Sequence, residues 1–372
     1  MHAQADSRTG SASALRKARW VYVGSRTERE RNAQGEGISI YRIDTSTGEW
    51  ALSEVAGGMV NPSFLAFDRT GRDLYTVHGK HSGITAFRVD RHTGRLTRIG
   101  HQPTEVNPVH LAPDPTNRYM VVANLDSGSL ASLPIHADGT LGPMSDVVKL
   151  SGKPGSGRAR QPGSGPHHCP PDRSGRFIVV PDKGLDKVFV FRLDAATGKL
   201  IANDPPHAVS QPGAGPRHVD FHPNGSWAYV VNELDSTVTA YRLDTQSGAL
   251  TTLQTLSTLP PDFRGENSTA EIYLTPNGKF VYASNRGHDS LAVFAVDQAS
   301  GALTLAGWVP AQGKKPRYFG LDPTGKFLYV ANEDSHTVVT FRVDQESGTL
   351  TPTGQVVKVG SPVCIVFAGY EI

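Results

Sequence analysis

Short runs of aromatic and β-branched residues alternate along the chain with small polar turns, and the alternation repeats as a unit. Residues 217–255 show it most plainly. His218–Phe221 is followed by the turn His222-Pro-Asn-Gly225 and by the apolar run Trp227–Val231. A second run, Thr237–Leu243, leads through Asp244-Thr-Gln-Ser-Gly248 to a third that begins near Leu250. Residues that fit a pleated, half-buried surface fill the runs. The connectors carry Pro, Asn, Asp and Gly where tight turns need a preset or positive φ. The unit therefore predicts four antiparallel strands, A to D, joined by hairpins.

The phrase Asp-x-x-Ser/Thr-Gly-x-Leu, which links strands C and D, recurs at Asp44–Trp50, Asp90–Leu96, Asp194–Leu200, Asp244–Leu250, Asp297–Leu303 and Asp344–Leu350, with a degenerate copy ending at Leu141. In phase with it, Pro62, Pro166, Pro216 and Pro316 each precede by nine residues the Gly of an A–B turn. A β-rich period of about 40–50 residues is the signature of propeller blades. The chain ends complete the count. Ser361–Phe367 reads as a strand A with nothing after it, whereas Trp20–Gly24 and Gly37–Ile43 read as strands B and C with no A before them. Joined, they make the seventh blade and leave no exposed sheet edge at the seam. The expected fold is all-β, a single seven-bladed propeller over residues 19–372 with its last blade closed by both termini.

The geometry of such a ring puts the start of every strand A and the end of every strand B on one face, with the A–B and C–D turns on the other. The long connections Arg26–Glu36, Ser151–Gly165 and Ser257–Ser268 all fall on the first face. Variable loops on a rigid repeat scaffold mark a binding face. Ser151–Gly165 is expected to be a mobile insertion between blades.

Composition narrows the picture further. The 39 glycines and 26 prolines suit a chain of turns, and the balance of 37 basic and 35 acidic residues gives no general reason for binding nucleic acid or membrane. No apolar run approaches the roughly 20 residues of a membrane span. Two cysteines about 200 residues apart, Cys169 and Cys364, imply no disulfide framework and favour a reducing, cytoplasmic location. Residues 1–18 carry Arg and Ser but no apolar stretch, so they are expected to be an unstructured tail rather than a signal peptide. Their Arg and Ser content bears a faint likeness to a transit peptide.

Two positions per blade aim functional groups at the loop-bearing face. At the strand A starts stand Val109-His110, His167-His168, Arg217-His218, Ala270-Glu271 and Arg317-Tyr318. At the strand B ends stand Asp182-Lys183, Asn232-Glu233, Asn285-Arg286 and Asn332-Glu333. A purely structural repeat would hold these positions apolar or uniform. The recurrent Asn residues suit turn closure. His218 suits packing as well as chemistry, and Arg217–Glu233 and Arg317–Glu333 suit ion pairs within a blade. His222 belongs to the opposite face, and His101, His136 and His288 to solvated loops. The functional alternative is an anion clamp of arginines around an acid–base group. Its positive neighbours would keep Glu233 ionised and hold His167 or His168 neutral. No zinc, EF-hand or serine-elbow motif occurs, so neither metal nor cofactor is expected.

The motifs Gly165-Pro-His-His, Gly215-Pro-Arg-His218, Val231-Asn-Glu233, Ala270-Glu-Ile272, Ser284-Asn-Arg-Gly-His-Asp-Ser290 and Lys315-Pro-Arg-Tyr-Phe319 together resemble those of the lactonase seven-bladed propellers. That family holds bacterial 6-phosphogluconolactonases and fungal 3-carboxy-cis,cis-muconate lactonizing enzymes. The likeness runs from about Trp20 to the C-terminus. It implies a metal-independent site at the central channel, with catalytic roles for His167 or His168, Arg217, Glu233 and Arg286. His110, Asp182, His218, Glu271, Arg317 and Glu333 are the expected substrate-binding residues. The family's usual Pro-His-x-His is altered here to Pro-His-His-Cys. The expected activity is hydrolysis of a sugar-acid lactone, 6-phosphogluconolactone first, by a monomer or weak homo-oligomer. The alternatives are a lactonizing reaction on a carboxylated muconate and a propeller that binds without turnover.

Overall fold

A computed structural model describes residues 19–29, 32–155 and 161–368. Within them lie 27 strands, β1 to β27 in chain order, in seven sheets. The expected 1–18 tail lies outside the described residues, as does the centre of the Ser151–Gly165 insertion.

The unit drawn from residues 217–255 is found as β15 (Pro216–Phe221), β16 (Trp227–Asn232), β17 (Thr237–Leu243) and β18 (Leu250–Ser257), paired antiparallel in that order. The closing sheet has the order β27-β1-β2-β3, so β27 (Pro362–Ala368) lies beside β1 (Trp20–Ser25), β2 (Gly37–Ile43) and β3 (Trp50–Gly57). Val21 faces Phe367 and Tyr22 faces Val366 across the seam. Strand A is innermost in each blade, and the fourth strand is the outer, mostly exposed edge.

The third blade departs from the expected four strands. Only β12 (Ile178–Asp182), β13 (Lys187–Leu193) and β14 (Leu200–Val209) form a ladder there. Residues 166–171 hold the inner position through two isolated bridges, Pro166 to Asp182 and Pro171 to Ile178. Pro166, Pro170 and Pro171 have no N–H to give, so a regular ladder cannot form.

Adjacent blades are riveted by the C–D turns. The buried hydroxyls of Tyr22, Tyr75, Tyr229, Tyr282 and Tyr329 donate to the carbonyls of Gly94, Gly139, Gly301, Gly348 and Gly48 of the next blade at 2.9–3.0 Å. The turn glycine is needed twice over. Gly301 has φ +75°, and a Cβ on it would stand 2.5 Å from the Trp227 ring. This use of the repeated Gly is not apparent from the turn phrase alone.

Candidate active site

A β-bulge at the head of strand A builds the site. In the fourth blade Pro216 pairs with Asn232 and His218 with Val231, leaving Arg217 unpaired between them. The same shift isolates Arg317 in β23 (Pro316–Leu321), Val109 in β8 (Pro108–Pro113) and Val363 in β27. A bulge re-aims its extra side chain, and here it points into the central channel. Ser63, Val109, His167, Arg217, Arg317 and Val363 line a cavity of about 240 Å³ on the loop-bearing face. The strand B ends contribute Arg26, Gly79, Leu125, Lys183, Glu233 and Arg286 to its wall.

Each strand B pair therefore divides its labour. The first member is buried in the hairpin. Asn232 Nδ2 donates to the Thr237 and Thr239 hydroxyls, and Asn285 Nδ2 donates to the Thr258 carbonyl. The second member, Glu333 excepted, faces the channel.

Of the expected residues, His167, Arg217, His218, Glu233, Glu271, Arg286 and Arg317 line this one cavity. Glu333 stands just behind, 2.8 Å from Arg26 Nε and 3.9 Å from Arg317 Nη1.

Three residues do not join them. Asp182 is fully buried and accepts from the backbone N–H groups of Gly165, Gly184 and Leu185 and from the Ser164 hydroxyl, so its carboxylate is consumed by the loop it folds. His110 and His168 lie one residue further along the chain than Val109 and His167. They line a second cavity, of about 470 Å³, toward the opposite face. The amide of Cys169 donates to His110 Nδ1 and that of Val219 to His168 Nδ1, each at 3.2 Å. His168 stacks on His218 with ring centres 4.3 Å apart, while His101 proves to be part of strand β7 (Leu96–Gln102) rather than a loop.

Lys183, Arg26 and Lys80 also line the upper cavity and were not anticipated as site residues. The signal for the first two was present, since each is the second member of a strand B pair.

Glu233 is the electrostatic centre. Its carboxylate lies 3.1 Å from Arg217 Nε, 3.3 Å from Arg286 Nη2 and 3.4 Å from Lys183 Nζ. Burial raises its pKa, but Arg286, Lys183 and Arg217 outweigh that and hold it well below the usual carboxylate range. Arg217 also donates to the Ala270 carbonyl, and Arg286 Nη2 to the Thr269 carbonyl at 2.6 Å, so both guanidiniums are rigidly held. Arg317 is more loosely placed, its ion pair with Glu333 being 3.9 Å long.

Next to this cluster, His167 Nδ1 lies 3.2 Å from His218 Nε2, and His218 Nδ1 lies 2.7 Å from Glu271 Oε1. Burial first, then Arg217 and Lys183, pull His167 well below the ordinary imidazole value, so the ring is neutral. Burial pushes Glu271 up to about 8 against the pull of Arg217. Six cationic side chains and the two neutral imidazoles of His167 and His218 thus share a small cavity with two carboxyl groups. Among the described residues, no three His, Cys, Asp or Glu side chains group as metal ligands.

Residues 20–367 match the family described as Lactonase, 7-bladed beta-propeller. The chain belongs to that family. A 6-phosphogluconolactonase of Bacillus subtilis is 33% identical over 305 residues, covering 81% of this chain and 84% of its own. A 6-phosphogluconolactonase of Formosa agariphila is 32% identical, with 81% and 86% coverage. Among solved structures, this lactonase-family chain superposes on a putative 6-phosphogluconolactonase of Bacteroides fragilis with a TM-score of 0.88 and 32% identity, covering 96% and 99%. The periplasmic gluconolactonase PpgL of Pseudomonas aeruginosa gives 0.88 and 34%, covering 95% and 100%.

Proposed function

We propose that this protein hydrolyses a phosphorylated sugar-acid lactone, 6-phosphogluconolactone to 6-phosphogluconate. The observation that carries the proposal is the convergence of Arg26, Lys80, Lys183, Arg217, Arg286 and Arg317 with neutral His167 on one cavity. Its volume lies below the roughly 300–1,000 Å³ of drug-sized ligand sites, which suits a small sugar acid. The relatives named 6-phosphogluconolactonase support the phosphorylated substrate, and the one named gluconolactonase supports lactone hydrolysis.

In this mechanism the loosely held Arg317 and Lys183 bind the phosphate. Arg217 and Arg286, fixed by backbone carbonyls and Glu233, face the lactone carbonyl and stabilise the oxyanion that forms on attack. His167 takes a proton from the attacking water through Nε2 and returns it to the ring oxygen as the C–O bond breaks. Glu233 is too strongly held as an anion to serve as an effective base, and its part is to keep the arginines charged and in place. Substrate phosphate would offset the positive field that depresses His167, so binding makes the base stronger.

The cytoplasm is the proposed compartment, with both cysteines free and buried; no described helix is long and apolar enough to cross a membrane. A monomer or weak homo-oligomer acting on a free metabolite, without nucleic acid, completes the proposal. The test is acid release in a pH-stat from 6-phosphogluconolactone and from gluconolactone. Hydrolysis of the first with a kcat/KM at least about tenfold higher is expected, since a hydrogen bond to a charged group contributes about 1.5–3 kcal/mol. Equal turnover of both, or of neither, would overturn it.

A further inference from the structure

The line His167–His218–Glu271 crosses three neighbouring blades and ends between the two cavities, because Glu271 lines both of them. Its contacts, 3.2 Å and 2.7 Å, are hydrogen-bond lengths, and all three side chains are at most 5% exposed. Glu271 Oε1 also accepts from the Ile272 amide at 3.1 Å, whereas the buried Oε2 has no hydrogen-bond partner among the described residues. Resting on the assignment of His167 as base, we infer that His218 and Glu271 are positioning residues forming a proton relay that decides which nitrogen of His167 faces the substrate.

The bookkeeping closes within the chain. With Glu271 ionised, it accepts the His218 Nδ1 proton, His218 Nε2 accepts the His167 Nδ1 proton, and His167 Nε2 presents a lone pair. As the water oxygen bonds to the lactone carbon, the water proton moves to His167 Nε2. The Nδ1 proton of His167 passes to His218 Nε2, and that of His218 passes to Glu271 Oε1. The negative charge of Glu271 has then moved to the oxyanion beside Arg217 and Arg286, and no imidazolium has formed in a site that disfavours one. When the ring C–O bond breaks, the leaving oxygen takes the Nε2 proton and the chain of transfers runs back. The second hydrogen of the water leaves with the carboxylic acid product.

The groups around Glu271 are compatible with this exchange of charge. Arg217, His218 and Asp220 face it from β15, Arg317 and Tyr318 from β23, and Cys364 from β27, with Tyr273 on its own strand, β19 (Ser268–Leu274). Burial raises Glu271 while Arg217 and Arg317 oppose, which leaves it able to change protonation near neutrality. Proton loss from Glu271 converts His167 from an N–H donor into a base, so turnover rises with pH across that titration.

Glu271→Gln preserves shape and the acceptor for His218 but cannot take a proton. It is expected to lower kcat on 6-phosphogluconolactone by about 10²-fold, the lower end of general-base contributions. KM should stay within about threefold if phosphate contacts alone set it. The rise of kcat with pH should vanish, and Glu271→Asp, which restores an ionisable group, should bring that rise back. His167→Gln is measured alongside, with thermal melting of all three. Loss of activity in His167→Gln with wild-type kcat in folded Glu271→Gln would overturn the relay and leave the base intact. A lowered kcat in Glu271→Gln with an unaltered pH profile would also overturn it. Retained activity in His167→Gln would instead bring down the base on which the relay rests.

Discussion

Replacing Glu233 by Gln removes the one anion that Arg217, Arg286 and Lys183 share. The side chain keeps its shape, but its neutral amide leaves two buried guanidiniums without their counter-charge. Glu233, Arg217 and Arg286 have side-chain exposures of 7%, 4% and 8%, so solvent screens this cluster little. Breaking a buried ion pair from one side costs about 3–5 kcal/mol. A domain of this size unfolds with an entropy of about 0.7 kcal/mol per degree, so the melting temperature should fall by about 4–7 °C. The sign with pH is fixed by the depressed pKa of Glu233. Its contribution is complete above the unfolded value near 4.3 and is lost as pH falls through the lower folded value, so the gap between the proteins should close only in strong acid. Inorganic phosphate should narrow the gap at neutral pH by replacing the missing charge. Scanning calorimetry at pH 7 and pH 3, with and without phosphate, provides the measurement. An unchanged or raised melting temperature at pH 7 would refute the argument, because the cluster would then hold no uncompensated charge.

Four further outcomes follow from the same geometry. Arg317→Ala or Lys183→Ala should raise KM for the phosphorylated lactone by about tenfold, the worth of one charge-assisted phosphate contact, and leave the unphosphorylated lactone nearly unaffected in steady-state kinetics. His110, His167 and His218 are buried with depressed pKa values; the unfolded chain therefore binds more protons below about pH 6.5, and thermal melting should show stability falling by up to about 1.4 kcal/mol per pH unit for each as the solution is acidified. Tyr229→Phe should cost about 1 kcal/mol in denaturant unfolding for the lost inter-blade hydrogen bond, and Gly301→Ala about 2–5 kcal/mol, since it strains a positive φ and strikes the Trp227 ring.

The blades were legible because turn chemistry and strand composition agree in most repeats, and the unpaired terminal strands left one way to close the ring. The third blade was misjudged where Pro166, Pro170 and Pro171 interrupt the ladder, although the prolines themselves gave the warning. The lining of the upper cavity was legible to within one residue. Strand alternation cannot reveal a bulge, and the bulge turns Arg217 into the upper cavity, where His167 also stands, while His110 and His168 line the second cavity. Asp182 looked like a ligand residue because it stands at a strand B end, and only the folded loop shows its oxygens already taken. The inter-blade role of the turn glycines depends on which ring lies above them, a relation between blades that no local pattern encodes.

The most direct test of the account is a crystal structure of His167→Gln with a phosphorylated aldonolactone bound. The account predicts the phosphate between Lys183 and Arg317, and the lactone carbonyl against Arg217 and Arg286 within reach of residue 167. Ligand held in the opposite-face cavity beside His110 and His168, or turned with its phosphate away from both cations, would contradict it.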